Sequence, residues 1–276
     1  MPMNSINTNA QAVFALQSLN NTNAKIFVTQ KRVSTGYQVA DAKDDGGAFA
    51  VAQSVRSDVA GVIAVGEQLG GVKGVLETTF ASLSVVSDTM KQIRAVLTRL
   101  ADGAIAADQR ATYEAQYTLL ADQVSKFIDD ATYNGRSLLS TASGIGGNIT
   151  AIRNEGGGTF TIEAVDGATL KISPTAPATA VAAQAMIASG GGFDLVDQKI
   201  SSALNNFGAA MSFVENQIAY NAKKVDAMEG GLGALVDADI AKESSTLEAL
   251  KARQQLAVQT LGLANQGPQV LLGLFR

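Results

Sequence analysis

The run Asp41-Ala42-Lys43-Asp44-Asp45 sets three carboxylates within five residues, the kind of oxygen donors a hard divalent cation takes. A calcium-type loop also needs a distal Glu in register, and none follows here. The better reading makes Asp44 and Asp45 the cap and the negative charge at the start of a helix. Gly70-Gly71-Val72-Lys73-Gly74 is rich in glycine but lacks the spacing of a phosphate-binding loop and follows no strand. The chain has no His and no Cys. The commonest general base, the commonest metal ligands and every disulfide are therefore excluded. No acid–base pair stands at a catalytic spacing, so the expectation is no enzyme, no metal and no cofactor. A net charge of −4 offers no field for nucleic acid.

What remains must be carried by the long elements. The only prolines are Pro2, Pro174, Pro177 and Pro268, and the proline-free stretches are rich in Ala, Leu, Gln, Lys and Glu. Such composition suits long helices. The pattern predicts helices over about Ser5–Val33, Asp44–Leu100 (loosened near Gly70), Asp108–Ala131, Asp194–Met228 and Asp237–Asn265. In the first, Ala12, Leu19, Ile26 and Val33 recur every seven residues, with Leu16, Asn23 and Gln30 between them. Asn134–Gly135 signals a turn. Ten of the 27 glycines fall between Gly144 and Gly192, and there Phe160, Ile162 and Ala164 alternate with polar residues, as do Leu170 and Ile172. A three-residue loop Val165–Asp166–Gly167, with Gly167 left-handed, would pair Ile162 with Leu170 in a hairpin. The fold class is mainly α, with long antiparallel helices forming an elongated coiled-coil or bundle rod and a small β-hairpin region in mid-chain.

Both ends are unusual. Residues 1–24 and 254–275 contain no charged side chain, whereas surface helices ordinarily carry charge for solubility. The chain closes on Val270, Leu271, Leu272, Leu274 and Phe275 before Arg276. Burying those five apolar residues would yield roughly 7–15 kcal/mol gross. Left in water, they yield nothing and aggregate. The N-terminus has neither a basic n-region nor an apolar h-region, so no cleaved signal peptide is expected. No run of 18 uninterrupted apolar residues promises a membrane span.

Residues 6–61 ("INTNAQAVFALQSLNNTNAK…RVSTGYQVADAKDDGG…") resemble the N-terminal region of bacterial flagellins, and residues 231–276 ("…DADIAKESSTLEALKARQQLAVQTLGLANQGPQVLLGLFR") resemble their C-terminal region. The segment "DDATYNGRSLLS" (129–140) is similar to the stretch after their central helix. The short flagellins of alphaproteobacteria are nearest in style.

The resemblance implies that residues 1–35 and 240–276 form the paired terminal helices of a filament's inner tube. It makes 36–239 a helical rod domain, with a β excursion around 145–175 and no outer domains. It implies an extracellular structural subunit of the swimming filament, exported without a cleaved signal peptide. The implied partners are copies of itself and sibling flagellins, the flagellar type III export apparatus and chaperone, and the filament cap and hook-junction proteins. Neither nucleic acid nor membrane is among them. Terminal segments that fold only on docking with neighbours would explain the apolar tail. The residues expected in the self-assembly interface are Leu16, Leu19, Ile26, Arg32, Asp44, Asp45, Arg56, Asp239, Glu243, Leu250, Leu261, Leu271, Leu272, Leu274, Phe275 and Arg276. Among them Arg32, Asp44, Asp45, Asp239 and Glu243 are the candidates for ion pairs between subunits. Gly36 is expected to make the bend after the first helix, with Asp237 or Asp239 capping the last. The alternatives are a hook–filament junction protein with similar termini and a monomeric helical binding module whose ends pair internally.

Overall fold

The computed structural model describes residues 9–141 and 144–273, with side chains described as far as Gln266. Among the described residues six α-helices and one pair of strands follow in the order α1 (Ala10–Thr35), α2 (Gly46–Leu100), α3 (Ala107–Asp129), β1 (Ile149–Ile152), β2 (Thr159–Ile162), α4 (Ala180–Ile187), α5 (Gly192–Val236) and α6 (Ile240–Gly273). The chain divides into two compact units, one of Met1–Ser57 with Ala227–Arg276, the other of Asp58–Asp226.

The central unit, Asp58–Asp226, is built on heptads. On α2 the buried positions Val62, Val65, Leu69, Leu76, Leu83, Val86, Met90, Ile93, Leu97 and Leu100 step by three and four residues or their sums. That spacing keeps one face of a helix toward its partners along its whole length. On α5 the residues Phe193, Ile200, Phe207, Val214 and Asn221 recur every seven residues and are all at most 2% exposed. α3 adds Tyr117, Leu120, Val124 and Ile128 to the same core. The Tyr117 hydroxyl donates to the Ser173 carbonyl at 2.9 Å, and burial pushes its pKa up to about 12. The glycines near Gly70 leave α2 unbroken, because Leu69 and Leu76 on either side are both fully buried. Anchoring of that kind outweighs the ~1 kcal/mol each glycine costs a helix.

α2 also contains an 18-residue stretch of mean hydropathy 1.3, apolar enough by length and composition to cross a membrane. Only 22% of that stretch is buried inside the protein, and the core row of α2 runs on beyond it from Val65 to Leu100.

The hairpin differs from the one the alternation predicts. β1 pairs antiparallel with β2, with Ile149 opposite Ile162 and Ala151 opposite Phe160. Leu170 is not a strand residue. It ends a 3₁₀ turn, Gly167–Leu170, capped by the Asp166 carboxylate, which accepts from the Ala168 N–H. An Asp–Gly pair suits a hairpin loop and a helical cap equally well, and two tertiary bonds decide between them. The Val165 and Gly167 N–H groups donate to the Leu138 and Leu139 carbonyls (2.8 and 3.1 Å) and hold this segment against another part of the chain. Gly167 keeps a negative φ, and the left-handed residue falls instead at Gly157, in the loop that joins β1 to β2. There the Asn154 carboxamide oxygen accepts from the Gly158 N–H (2.7 Å) and closes the turn. Asn134 and Gly135 are both left-handed, between the bridged residues Tyr133 and Arg136, as their dipeptide predicts.

Candidate self-assembly surface

In the unit formed by the two chain ends, α1 begins on Asn9, whose side chain accepts from the Ala12 N–H (3.1 Å), and stops at Gly36 in the left-handed conformation (φ 77°). α6 begins on Asp239, whose carboxylate accepts from the Lys242 N–H (3.0 Å). Three polar ties set the two helices antiparallel. Asn9 Nδ2 donates to the Ala264 carbonyl (2.7 Å), Gln254 Nε2 donates to Asn23 Oδ1 (2.7 Å), and Arg32 Nη1 pairs with Glu243 Oε1 (3.1 Å). The first tie has a covalent cause. Four residues after Ala264 stands Pro268, which has no N–H to give that carbonyl, so Asn9 supplies the missing donor.

The register puts Ala12, Ala15, Leu19, Thr22, Ile26, Thr29 and Val33 of α1 along the seam with Glu243, Leu247, Leu250, Gln254, Ala257, Leu261 and Ala264 of α6. All of these are partly or fully buried. Both rows step alternately by three and four, the spacing of a two-helix coiled coil. The second line of the α1 stripe is therefore Ala15, Thr22 and Thr29. Leu16, Asn23 and Gln30, the line suggested by the sequence, lie one position round and are exposed. On an isolated helix both lines flank the Ala12–Leu19–Ile26 row equally, and only the partner chooses between them.

The seam consumes few large side chains and leaves many outside. Phe14 and Phe27 are each 71% exposed, Leu263 68% and Leu256 61%, and Val13, Leu16, Val28 and Val258 are exposed as well. Two adjoining grooves run along the pair. One, of about 600 Å³, lies between Phe14, Asn21 and Lys25 of α1 and Arg253, Leu256 and Thr260 of α6. The next, of about 570 Å³, is framed by Phe14, Ala15, Leu263 and Ala264. The stretches 10–24 of α1 and 254–273 of α6 carry no charge, and exposed apolar residues in such density are characteristic of protein contact surfaces.

At the other end of α1 a polar corner holds the connector. Lys31 Nζ lies 2.8 Å from Asp41 and 2.7 Å from Asp44. The ammonium holds both carboxyls below their usual range, and they in turn raise the Lys31 pKa. Asp44 also accepts from the Ala40 and Asp41 N–H groups. Asp45 alone caps α2, accepting from the Gly47 and Ala48 N–H groups. The Val236 carbonyl accepts from both Gln38 and Val39, and the Gly36 carbonyl from Ala238. Val39, Ala52 and Val236 form a small core beneath them. The Arg56 guanidinium lies 6.0 Å from the Tyr37 ring centre.

Of the residues singled out in the sequence, Leu19, Ile26, Leu250 and Leu261 thus meet in the seam, and Leu16 faces outward. Arg32 and Glu243 find each other, Asp44 finds Lys31, and Asp45 and Asp239 are occupied as caps. Arg56 lies apart from the seam, over Tyr37. The side chains of Leu271 and Leu272, and all of Leu274, Phe275 and Arg276, lie outside the described residues. Sequence reasoning missed Lys31 and the outward aromatics. Phe14 and Phe27 fall off the heptad rows, and large apolar residues at off-row positions of an amphipathic helix were the available signal. Among the described residues no three His, Cys, Asp or Glu side chains gather as a metal site.

The chain is similar to known proteins along its whole length. The model of the bacterial flagellin N-terminal helical region matches residues 6–144, and that of the C-terminal helical region matches residues 193–275. Flagellin FljK of Caulobacter vibrioides is 33% identical over 279 residues, covering 100% of both chains. A flagellin of Brucella melitensis is 33% identical over 290 residues, covering 99% of this chain and 100% of its own. The crystal structure of Bacillus cereus flagellin overlaps loosely, with a TM-score of 0.36 and 17% identity, covering 66% of this chain and 94% of that one.

Proposed function

The chain belongs to the bacterial flagellin family and is a subunit of the flagellar filament, and from that premise we propose that the α1/α6 pair is its polymerising element. The observation that carries the proposal is the outward apolar face of that pair. Phe14, Phe27, Leu256 and Leu263, with Val13 at 64%, are about two-thirds exposed in the single chain. Covering all five by neighbouring copies would contribute about 5–10 kcal/mol gross. Association costs about 4–15 kcal/mol in lost freedom, so one such contact is marginal and several neighbours at once are needed. Repeated head-to-tail contacts that do not close on themselves grow a helical polymer.

In this reading residues 1–35 and 240–276 form the inner wall of the filament, and 36–239 form the helical rod outside it. The interface consists of Leu16 and the outward residues above, with Leu271, Leu272, Leu274, Phe275 and Arg276 of the tail. Leu19, Ile26, Leu250 and Leu261 act one step back, by holding the two helices together. Family membership supports the remaining parts. They are export through the type III apparatus with a chaperone and without a cleaved leader, placement beneath a filament cap, and contact with the hook-junction proteins. The role is structural, with no chemistry assigned to any side chain.

The test is seeded growth. Filaments are dissociated by heat, the full chain is purified, and short filament fragments are added under the electron microscope. Elongation of the fragments is expected. Fragments that stay the same length at chain concentrations well above the micromolar range would overturn the assignment of α1/α6.

A further inference from the structure

Along α5 the buried row Phe193, Ile200, Phe207 and Val214 continues at the same spacing into Asn221, a carboxamide only 2% exposed. Its predecessors are all apolar, and a slide of α5 by one heptad exchanges them with a change of bulk alone. They hold the helix in the core more firmly than they fix its register. Asn221 is different. Its Nδ2 donates to the Arg153 carbonyl at the mouth of the β1–β2 loop (3.3 Å), and its Oδ1 accepts from Gln217 Nε2 (3.0 Å). Gln217 donates to that same Arg153 carbonyl (3.0 Å). One turn further along, Lys224 pairs with Glu155 within the loop. Gly61 of α2 makes room for the loop from another side, since a Cβ there would stand 3.1 Å from the Glu155 Cβ.

We propose that Asn221 is the register-determining residue of α5, and that with Gln217 and Lys224 it makes the hairpin loop a latch for one register. A slide of seven residues in either direction sets Val214 or Met228 in the place of Asn221. The Arg153 carbonyl then loses its donors and the buried carboxamide its partners, which is costly wherever water is excluded. A buried polar residue in an apolar row selects one arrangement while adding little stability. An apolar side chain of similar size would fill the site at least as well, but would leave the register open. A polymer of identical subunits needs the same register in every copy. The inference concerns the single folded chain and stands apart from the assembly reading.

The test compares Asn221→Leu with the unsubstituted full-length chain by thermal melting and by amide NMR of the hairpin. The reporters are the Arg153 and Gly158 amides, bonded at 2.7 Å to the Gly158 carbonyl and to Asn154 Oδ1. The expected result is a melting temperature equal or higher, with these amides exchanging at least tenfold faster and the β1–β2 signals doubled. A single set of hairpin signals at unchanged exchange rates overturns the proposal. A lower melting temperature with a single set does so too, since Asn221 would then merely stabilise. If Asn221→Leu fails to fold, the half-exposed Gln217→Ala decides. Faster exchange of the two amides at unchanged melting temperature is expected, and unchanged exchange refutes the latch.

Discussion

Phe27 offers the cleanest perturbation of the assembly surface, because it is 71% exposed and lies off the seam rows of α1. Complete burial of a phenylalanine side chain contributes about 1.5–3 kcal/mol, so covering the exposed part contributes about 1–2 kcal/mol per subunit. Phe27→Ala removes most of that from the filament and almost nothing from the single chain. Since about 1.4 kcal/mol is tenfold in an equilibrium constant, the concentration of free chain in balance with filaments should rise roughly 5- to 30-fold. Phe14 is equally exposed and lies about 20 Å away along the helix at ~1.5 Å per residue, far enough for independent effects. The double variant should therefore raise the free concentration roughly 25- to 900-fold. The assay sediments filaments at equilibrium and measures chain in the supernatant, with a melting curve on each variant as control. An unchanged free concentration would refute the reasoning, because Phe27 would then face water in the filament too. A markedly lower melting temperature would refute it differently, by placing the ring inside the chain's own packing.

Other outcomes follow from the same geometry. Leu250→Ala, at a buried seam position, should cost about 2–4 kcal/mol, read as loss of α1/α6 helicity by circular dichroism at a lower denaturant concentration. Gly36→Ala forces a Cβ into φ 77° and should destabilise the terminal unit by about 1–2 kcal/mol in the same assay. Asp41 and Asp44 have carboxyls held below their usual range by Lys31. Their contribution is therefore complete above the unfolded value of about 4 and is lost as pH falls through the lower folded values. The Ala40 and Asp41 amides that donate to Asp44 should accordingly lose exchange protection only below about pH 4, followed by NMR from pH 6 downward. Lys31, raised by the same pairing, predicts no change until the pH rises past its ordinary value of about 10.5.

The helices were legible because their information is local and repeated. The seven-residue recurrence of Ala12, Leu19, Ile26 and Val33 survives intact in the seam, and sparse proline rightly implied long uninterrupted helices. Three features depended on partners that a single stretch of sequence does not contain. Whether Ala15 or Leu16 completes the α1 stripe is settled only by α6. Whether Asp166–Gly167 turns a hairpin or caps a 3₁₀ turn is settled by the Leu138 and Leu139 carbonyls. α6 was expected to stop near Asn265, ahead of Pro268, yet it runs to Gly273, and the carbonyl that proline leaves free is taken by Asn9, more than 250 residues away in the chain. The proposed assembly surface was half legible. Absence of charge at the two ends singled out the helices that pair in the structure, but the rows that marked the seam drew attention from Phe14 and Phe27 on the outer face.

The most direct test of the central claim is hydroxyl-radical footprinting of Phe14, Phe27, Leu256 and Leu263 in the dissociated chain and in filaments grown from it, with Tyr117 as a buried control. The account predicts that all four are oxidised readily in the free chain and are protected about tenfold or more once filaments form, while Tyr117 stays unreactive throughout. Side chains that oxidise as fast in filaments as in the free chain would mean that neighbouring subunits do not cover this face, and that assembly runs through some other surface.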